Sequence, residues 1–336
     1  MNTLSVVLLN FNGRNQVESF LPSVVEYSAP HKVIVVDNGS SDESIEFIAS
    51  NYPQVSIIAF EENLGFCGGY NKALELIDSE YVVLLNTDVE VSKNWIAPVL
   101  DQLKADKSIK AAQPKILDFK AKHKFEYAGA SGGYIDSLAY PFCRGRIFQT
   151  IEKDEKQYDD PHDIFWASGS CLFIHRETYL ELGGLDEDFF AHMEEIDLCW
   201  RIWSSGGRVV VIPQSAVYHV GGGTLDKSKP KKTYLNFRNG LSLLIKNEPS
   251  SKLAWKLPLR ILLDWVALLK FSLESGPQHG VAILKAHLHI VVHLRSILQK
   301  RKRPKVNTNA PRYHGWVIWS YFMRGKKKFS DLKIAN

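Results

Sequence analysis

The chain is short of paired cysteines, of nucleotide-loop signatures and of long apolar runs, and each shortage removes a class of protein. Its four cysteines, Cys67, Cys143, Cys171 and Cys199, form no CxxC pair and no zinc-like cluster in 336 residues. That argues against a disulfide framework or a structural metal centre and fits a reducing compartment. The apolar run Ser5 to Leu9 has no basic region before it and no small-residue cleavage site after it. It therefore reads as a first strand rather than a signal peptide, and the chain is expected to stay in the cytoplasm. No uninterrupted apolar run approaches the roughly 18 residues that span a bilayer. The first strand lacks a GxGxxG turn, which disfavours a dinucleotide oxidoreductase, and GxxxxGKS/T is also absent. There is no internal repeat and no low-complexity tract.

What remains is ordinary folded-protein composition, 45% hydrophobic and 23% charged. The length suits one large α/β domain with an appended segment, or two modest domains. The net charge of +4 hides a division. From Lys246 to Asn336 there are 18 Lys and Arg against 4 Asp and Glu, or +14, which leaves the rest at −10. An acidic body with a basic tail points the tail toward something anionic, a phospholipid surface or nucleic acid.

Four apolar, β-branched runs, Leu4 to Leu9, Lys32 to Val36, Val55 to Phe60 and Tyr81 to Leu85, read as buried strands. Between them Gln16 to Tyr27, Ser44 to Tyr52 and Tyr70 to Ile77 have helical length and pattern. Strands alternating with helices imply a mostly parallel sheet. Ser40 with Glu43 is expected to form a capping box for the second helix. Glycines and aromatics from Tyr127 to Phe148 suggest a hairpin or irregular excursion; regularity returns with a strand at Cys171 to His175 and helices near Arg176 to Leu182 and Glu194 to Ser205. From Leu253 to Leu298 the pattern is helical and amphipathic. Lys300 to Lys305, Trp316, Trp319, Tyr321, Phe322 and Lys326 to Lys328 give the basic and aromatic chemistry of an interfacial anchor. The organisation expected is an α/β domain over residues 1–247 and a basic, aromatic-rich helical tail over 248–336.

In an open parallel sheet, ligands bind outside the carboxyl ends of the strands. Asn10 and Asn12 follow the first strand, Asp37 and Asn38 the second, Glu62 and Asn63 the third, and Asn86 and Asp88 the fourth. Singly each of these is a turn or cap residue; four strand ends delivering acids and amides to one edge make a site. In NLGFCGGYN, Gly65, Gly68 and Gly69 stand between a strand and a helix, where missing side chains let a ligand reach the backbone. In LLNTDVE, Asp88 sits just past a buried strand, where a carboxylate can hold a hard divalent cation against a diphosphate.

These segments, VVLLNFNG, VVDNGSSD, NLGFCGG, LLNTDVE and the later HMEEIDLCWR, stand in the order and spacing of family-2 glycosyltransferases. The resemblance covers Leu4 to Asn247 and is nearest in look to bacterial rhamnosyltransferase-like enzymes of polysaccharide assembly. It implies the GT-A fold, Rossmann-like with a mostly parallel central sheet, and inverting transfer of a sugar from a UDP- or dTDP-linked donor to a glycan or lipid-linked acceptor. It implies that Asn10 and Asn12 line the nucleotide pocket, that Asp37 accepts from the pyrimidine, and that Asn63 and Gly65 touch the nucleoside. Asp88 is then the last acid of the DxD element, holding Mn²⁺ or Mg²⁺, with Asn86 in place of the first acid. His219, in VYHVGGG with Gly221 to Gly223, resembles the histidine that joins the metal or diphosphate. Glu195 inherits the general-base role, where most relatives carry aspartate, and the adjacent Glu194 and Asp197 leave the assignment open among neighbours. Trp166, Ser168 and Gly169 resemble the acceptor-side loop, an aromatic there stacking on a sugar face.

Lys231, Lys232 and Arg238 are candidates to answer diphosphate charge. His287, His289 and His293 carry no HExxH acid and read as part of a basic amphipathic helix rather than a metal site. Two other readings are set against transfer: nucleotidyltransfer on the same fold, for which Asn10 to Arg14 offers too few cations, and an inactive nucleotide-binding scaffold with a lipid- or nucleic-acid-binding tail. A membrane surface is favoured over nucleic acid as the tail's partner, which places the protein peripherally on the inner face of the cell membrane.

Overall fold

A computed structural model describes residues 2–221, 229–301 and 310–334. The four apolar runs become parallel strands β1 (Asn2–Asn10), β2 (Lys32–Asn38), β3 (Ser56–Phe60) and β4 (Ser79–Leu85), side by side in the order β3-β2-β1-β4. Helices α1 (Arg14–Ser28), α2 (Ser44–Asn51) and α3 (Gly65–Leu76) connect them. Successive strand side chains point to opposite faces. Val6, Leu8, Val33 and Val35 accordingly join one buried cluster with α1 and α2, whereas Val7, Ile34 and Val36 join another with α3. Strands buried on both faces must be apolar throughout, which is why these runs were continuous rather than alternating. The expected capping box does not form. Glu43 makes no side-chain cap bond, Asp42 accepts from the Ser44 N–H that opens α2 at 3.1 Å, and the Ser40 hydroxyl accepts from the Asn12 backbone at 2.9 Å.

The second half completes a mixed sheet. After β5 (Val89–Val91), α4 (Ala97–Ala105) and β6 (Ile109–Asp118), the expected excursion forms a separate four-stranded sheet of β7 (Gly133–Ile135), β8 (Pro141–Cys143), β9 (Arg146–Ile147) and β10 (Thr150–Ile151). The short β11 (His162–Asp163) is followed by β12 (Cys171–His175), α5 (Arg176–Glu181), α6 (Glu194–Ser204) and β13 (Arg208–His219). β12 runs antiparallel between β4 and β6 with Cys171 opposite Leu85, so its start lies beside the end of β4. β13 runs parallel to β6 and antiparallel to β5, setting His219 opposite Val89. These two registers bring residues distant in sequence to one sheet edge.

Beyond the sheet come α7 (Pro230–Asn247), which the sequence pattern did not suggest, then α8 (Ser250–Glu274) and α9 (Pro277–Gln299), which form a hairpin, and α10 (Val317–Phe322). α9 is long and apolar enough, by length and composition alone, to cross a membrane. The division expected at 247/248 coincides with the α7–α8 junction, yet the segment 310–334 returns to the small sheet. Tyr313 N–H donates to the Ile135 carbonyl at 3.0 Å, and Val317 N–H to the Asp136 carboxylate at 2.8 Å. Tyr321 and Phe329, one of them expected in a surface anchor, pack on Phe148 and Phe142 respectively.

Candidate active site

At the ends of β1 and β2, Asn10 and Asp37 are in register. Asn10, expected to line the pocket, is fully buried. Its amide donates to Ser44 at 2.8 Å, Ser40 at 3.2 Å and Asp37 at 3.4 Å, tying the two loops together beneath the site. Asn12 adopts φ 50°, a left-handed conformation that asparagine tolerates, and its side-chain oxygen accepts from Ser41 N–H at 2.8 Å. Asp37 accepts from Ser40 N–H at 3.2 Å and lies just under the surface.

The β3–α3 turn is built by amides. Asn38 donates to Asn63 at 2.9 Å and to the Gly65 carbonyl at 3.0 Å, and Asn63 accepts from Gly65 N–H at 2.8 Å. Gly65 has φ +72° with open space where a side chain would stand, so glycine is required there for backbone conformation. Gly69 serves packing instead of ligand approach: a Cβ there would sit 2.7 Å from Leu9.

Past β4, the Asn86 N–H donates to the Ser170 carbonyl at 3.0 Å, joining this turn to the loop before β12. The Asp88 carboxylate stands 3.1 Å from His219 Nε2, and Glu126 lies 3.5 Å from the ring's other nitrogen. Burial alone would lower the His219 pKa, but hydrogen bonding and charge from Asp88 and Glu126 raise it to about 10. Glu126 was not anticipated; it sits in the irregular stretch after β6, where no periodicity or motif marks it. A carboxylate behind a histidine is the arrangement that orients the ring for a cation. Asp88 and His219 pair with each other as they stand; with the Nε2 proton displaced, the two side chains would fit as ligands of a divalent cation. Among the described residues no cluster of three or more His, Cys, Asp or Glu side chains forms a complete protein cage. Gly221 lies against Glu126, whereas Gly222 and Gly223 fall outside the described residues.

The acids of HMEEID open α6. Glu194 is 6% exposed, Glu195 is partly exposed, and one carboxylate oxygen of each is buried without a partner. Burial raises the Glu195 pKa to about 7; burial and the neighbouring Glu195 charge hold Glu194 well above the ordinary glutamate range. A Cβ on Gly169 would stand 3.9 Å from the Glu195 Cβ and 3.7 Å from the Phe66 ring, so Gly169 leaves open space beside this acid. Asp197 differs. It is fully buried and bonded to Arg201 at 2.8 Å, Lys246 at 2.8 Å and Asn247 at 2.7 Å. Burial alone would raise its pKa, but the Arg201 and Lys246 charges lower it, so Asp197 anchors the helix.

The turn leading into α6 is strained. Phe190, His192 and Met193 have φ of 64°, 69° and 76°, each costing roughly 1–3 kcal/mol where a non-glycine residue is held there. Helix α7 supplies the grip: the Asn239 amide lies within 3.0 Å of the Phe189, Ala191 and His192 carbonyls, and Arg238 donates to those of Asp188 and Phe189. Arg238 thus fastens a loop rather than standing free for a diphosphate, and Lys231 lies over the Phe190 ring.

Trp166 is corrected by the structure. It is 3% exposed, its ring packs on Gly133 and its indole N–H donates to the Tyr134 carbonyl at 3.0 Å, so no face is open for stacking on a sugar. Ser168 is buried and receives support from Gln113, leaving Gly169 as the loop's partly exposed member. The three tail histidines do not converge. His287 meets Asp264 at 3.3 Å, while His289 meets Tyr234 at 3.1 Å and stacks on His293.

Residues 5–179 match the family model described as Glycosyl transferase family 2. The chain is 25% identical, over 91% of its length and 97% of the relative's, to N-acetylglucosaminyl-diphospho-decaprenol L-rhamnosyltransferase of Mycobacterium tuberculosis. Its fold resembles S. aureus TarS 1–349 in complex with UDP-GlcNAc, with a TM-score of 0.56 and 13% identity over 89% of this chain and 82% of that one. It also resembles the Pyrobaculum calidifontis mannosyltransferase PcManGT in complex with GDP-Man and Mn²⁺, with a TM-score of 0.52 and 16% identity over 89% and 84%. At these identities the two structures speak to the fold.

Proposed function

This chain belongs to glycosyl transferase family 2, and from that premise we propose that it is an inverting, cation-dependent transferase in which Glu195 is the general base. The observation that carries the reading is the acid cluster at the head of α6. Of its three acids, Asp197 is locked in ion pairs and Glu194 is buried behind, while Glu195 keeps contact with solvent beside the space left by Gly169. An acceptor hydroxyl placed there gives its proton to Glu195 as its oxygen bonds the anomeric carbon. The bond from that carbon to the diphosphate breaks in the same displacement, its electron pair passing to phosphate oxygen, and attack from the opposite side inverts the centre. Asp37 accepts from a uracil or thymine ring, with Asn12, Asn63 and Gly65 framing the nucleoside. Asp88 and His219 would hold Mn²⁺ or Mg²⁺, whose contribution is to stabilise charge growing on the leaving diphosphate. Likeness to a rhamnosyltransferase over nearly the whole chain supports rhamnose as the sugar. It also supports an acceptor belonging to a lipid-linked or cell-surface glycan, met on the cytoplasmic face of the membrane.

Donor binding and product together test the reading. A ligand present at about a hundred times its Kd stabilises the native state by about 2.7 kcal/mol. UDP- or dTDP-sugars with Mn²⁺ should raise the melting temperature by several degrees, and turnover should release nucleoside diphosphate. Release of pyrophosphate from a nucleoside triphosphate would instead establish nucleotidyltransfer.

Asn239 is a positioning residue in this scheme. Asn239→Ala leaves buried carbonyls without donors, a cost of roughly 1–3 kcal/mol, and lets the strained turn relax. The expected result is a modest loss in chemical denaturation and a fall of about tenfold or more in kcat with donor KM unchanged. An unchanged kcat would separate the turn from the chemistry.

A further inference from the structure

The C-terminal hairpin is inside out. On α8 the buried side chains are Lys256, Arg260 and Asp264, one per turn along the inner face. Leu262, Val266, Leu269 and Leu273 on the same helix are between 60% and 88% exposed. A surface helix of a soluble protein has the reverse arrangement. The inward charges are all engaged: Lys256 with Glu248 at the end of α7 at 3.0 Å, Arg260 with the Leu138 carbonyl of the body at 2.9 Å, and Asp264 with Tyr140 of the body and His287 of α9, each at 3.3 Å. On α9, Ala282, Ile283 and Ala286 are buried, yet Leu288, Val291 and Val292 are more than 60% exposed, so this helix is apolar on both sides. The patch continues onto α10, where Lys270 of α8 lies over the Phe322 ring and Trp319 and Met323 are exposed.

We propose that this outer face beds into an anionic bilayer surface, with α8 and α9 lying in the plane of the interface. Its charge selects the occupant. The exposed charged residues of the two helices are Lys252, Lys270, Lys285 and Arg295, with Glu274 the one exposed acid. Cations flanking an apolar stripe match lipid headgroups above acyl chains. A second copy of the chain would oppose lysine to lysine with one acid to answer them. The inner face holds the hairpin against the body, through Arg260 on the Leu138 carbonyl and Asp264 on Tyr140, which favours lying along the surface over crossing it.

The placement also gives the acceptor a direction, a point that rests on the transferase reading. A Cβ on Gly240 of α7 would stand 2.7 Å from the Arg260 guanidinium and 3.8 Å from the Met193 side chain. The hairpin therefore backs, through α7, onto the turn that presents Glu194 and Glu195, and not onto the Asp37 and Asn63 edge. A hydroxyl on a lipid-anchored acceptor would reach Glu195 from the membrane side, leaving the nucleotide edge to the aqueous phase.

The experiment uses the full chain and co-sedimentation with vesicles of phosphatidylcholine containing about a third phosphatidylglycerol, at low salt. Wild-type chain should sediment with these vesicles and much less with phosphatidylcholine alone. Leu269→Glu/Val291→Glu and, separately, Lys270→Glu/Lys285→Glu/Arg295→Glu should each cut the bound fraction roughly tenfold, with melting temperature and the UDP plus Mn²⁺ shift unchanged. Equal binding by wild type and both variants would overturn the proposal. So would a wild-type dimer in light scattering that ignores vesicles and is split by Leu269→Glu/Val291→Glu. Vesicle binding that disappears in the variants, in a chain that shows no nucleotide-sugar shift, would support the membrane face while removing the transferase reading alone.

Discussion

Glu195→Gln should lower kcat by about 10²–10⁴, the usual contribution of a positioned general base, while leaving the protein folded and its donor affinity intact. The substitution keeps the shape of the side chain and removes its basicity. The pH profile gives a second measure. Burial raises the Glu195 pKa to about 7, so activity should rise with pH through about 7 as the carboxylate becomes free to take a proton. Stability moves the other way. A carboxyl whose folded pKa lies above its unfolded value favours the native state fully below the unfolded value, and that contribution is lost as pH rises through the folded one. The parent should therefore lose stability from about pH 4.5 to above 7. Glu195→Gln should be at least as stable as the parent at pH 8, with the advantage fading toward pH 5. Retention of near-normal turnover by the variant would remove Glu195 from the chemistry, and an activity limb near the ordinary glutamate range would show that the acid is not desolvated while working.

Asp88→Ala is expected to cost nearly as much. A cation bridging the diphosphate stabilises the leaving group by several kcal/mol, so loss of a ligand should reduce turnover by about 10²–10³. The sharper readout is binding. Parent chain should bind UDP more tightly when Mn²⁺ is added, and Asp88→Ala should bind it equally with and without the metal. Asp88→Asn helps to separate causes, because it preserves an oxygen facing His219 at 3.1 Å but not the charge. If Asp88→Asn keeps the full Mn²⁺ response, the carboxylate is not a ligand. Should both variants keep full activity, the metal-assisted scheme falls.

Legibility in the sequence followed the physics of burial. The first four strands and the helices between them stood out because strands covered on both faces are continuously apolar, and the polar residues at their ends had to face the sheet edge. Asp37, Asn63, Asn86 and Asp88 were singled out as candidates that way. Glu126 was not, since it lies in irregular chain whose position is set by pairing with distant segments. α7 was missed because its buried positions include Thr233, Arg238, Asn239 and Lys246, residue types that pattern reading assigns to solvent. Asp197 could not be told from Glu195 in the string EEID. The distinction comes from Lys246 and Asn247, some fifty residues later, which close on one acid and leave the other open. Trp166 misled for a related reason, as an aromatic beside a serine and glycine suits a binding loop and a packed core equally until Gly133 is placed beneath it.

The return of residues 310–334 to the small sheet limits how the molecule can be shortened. The Asp136 carboxylate accepts from Val317 N–H at 2.8 Å, and the Glu152 carboxylate accepts from Phe329 N–H at 2.9 Å. Both acids are almost wholly enclosed. A truncation after Asn247, drawn to yield a catalytic fragment free of the greasy hairpin, would take one donor from each of these carboxylates, leaving Asp136 its bonds from Leu138 and Tyr140 and Glu152 its bond from Tyr158, and would uncover the aromatic face of Phe142. Polar substitution on the outside of the hairpin is the sounder route to a tractable sample, because it alters what the solvent meets and keeps every strand covered.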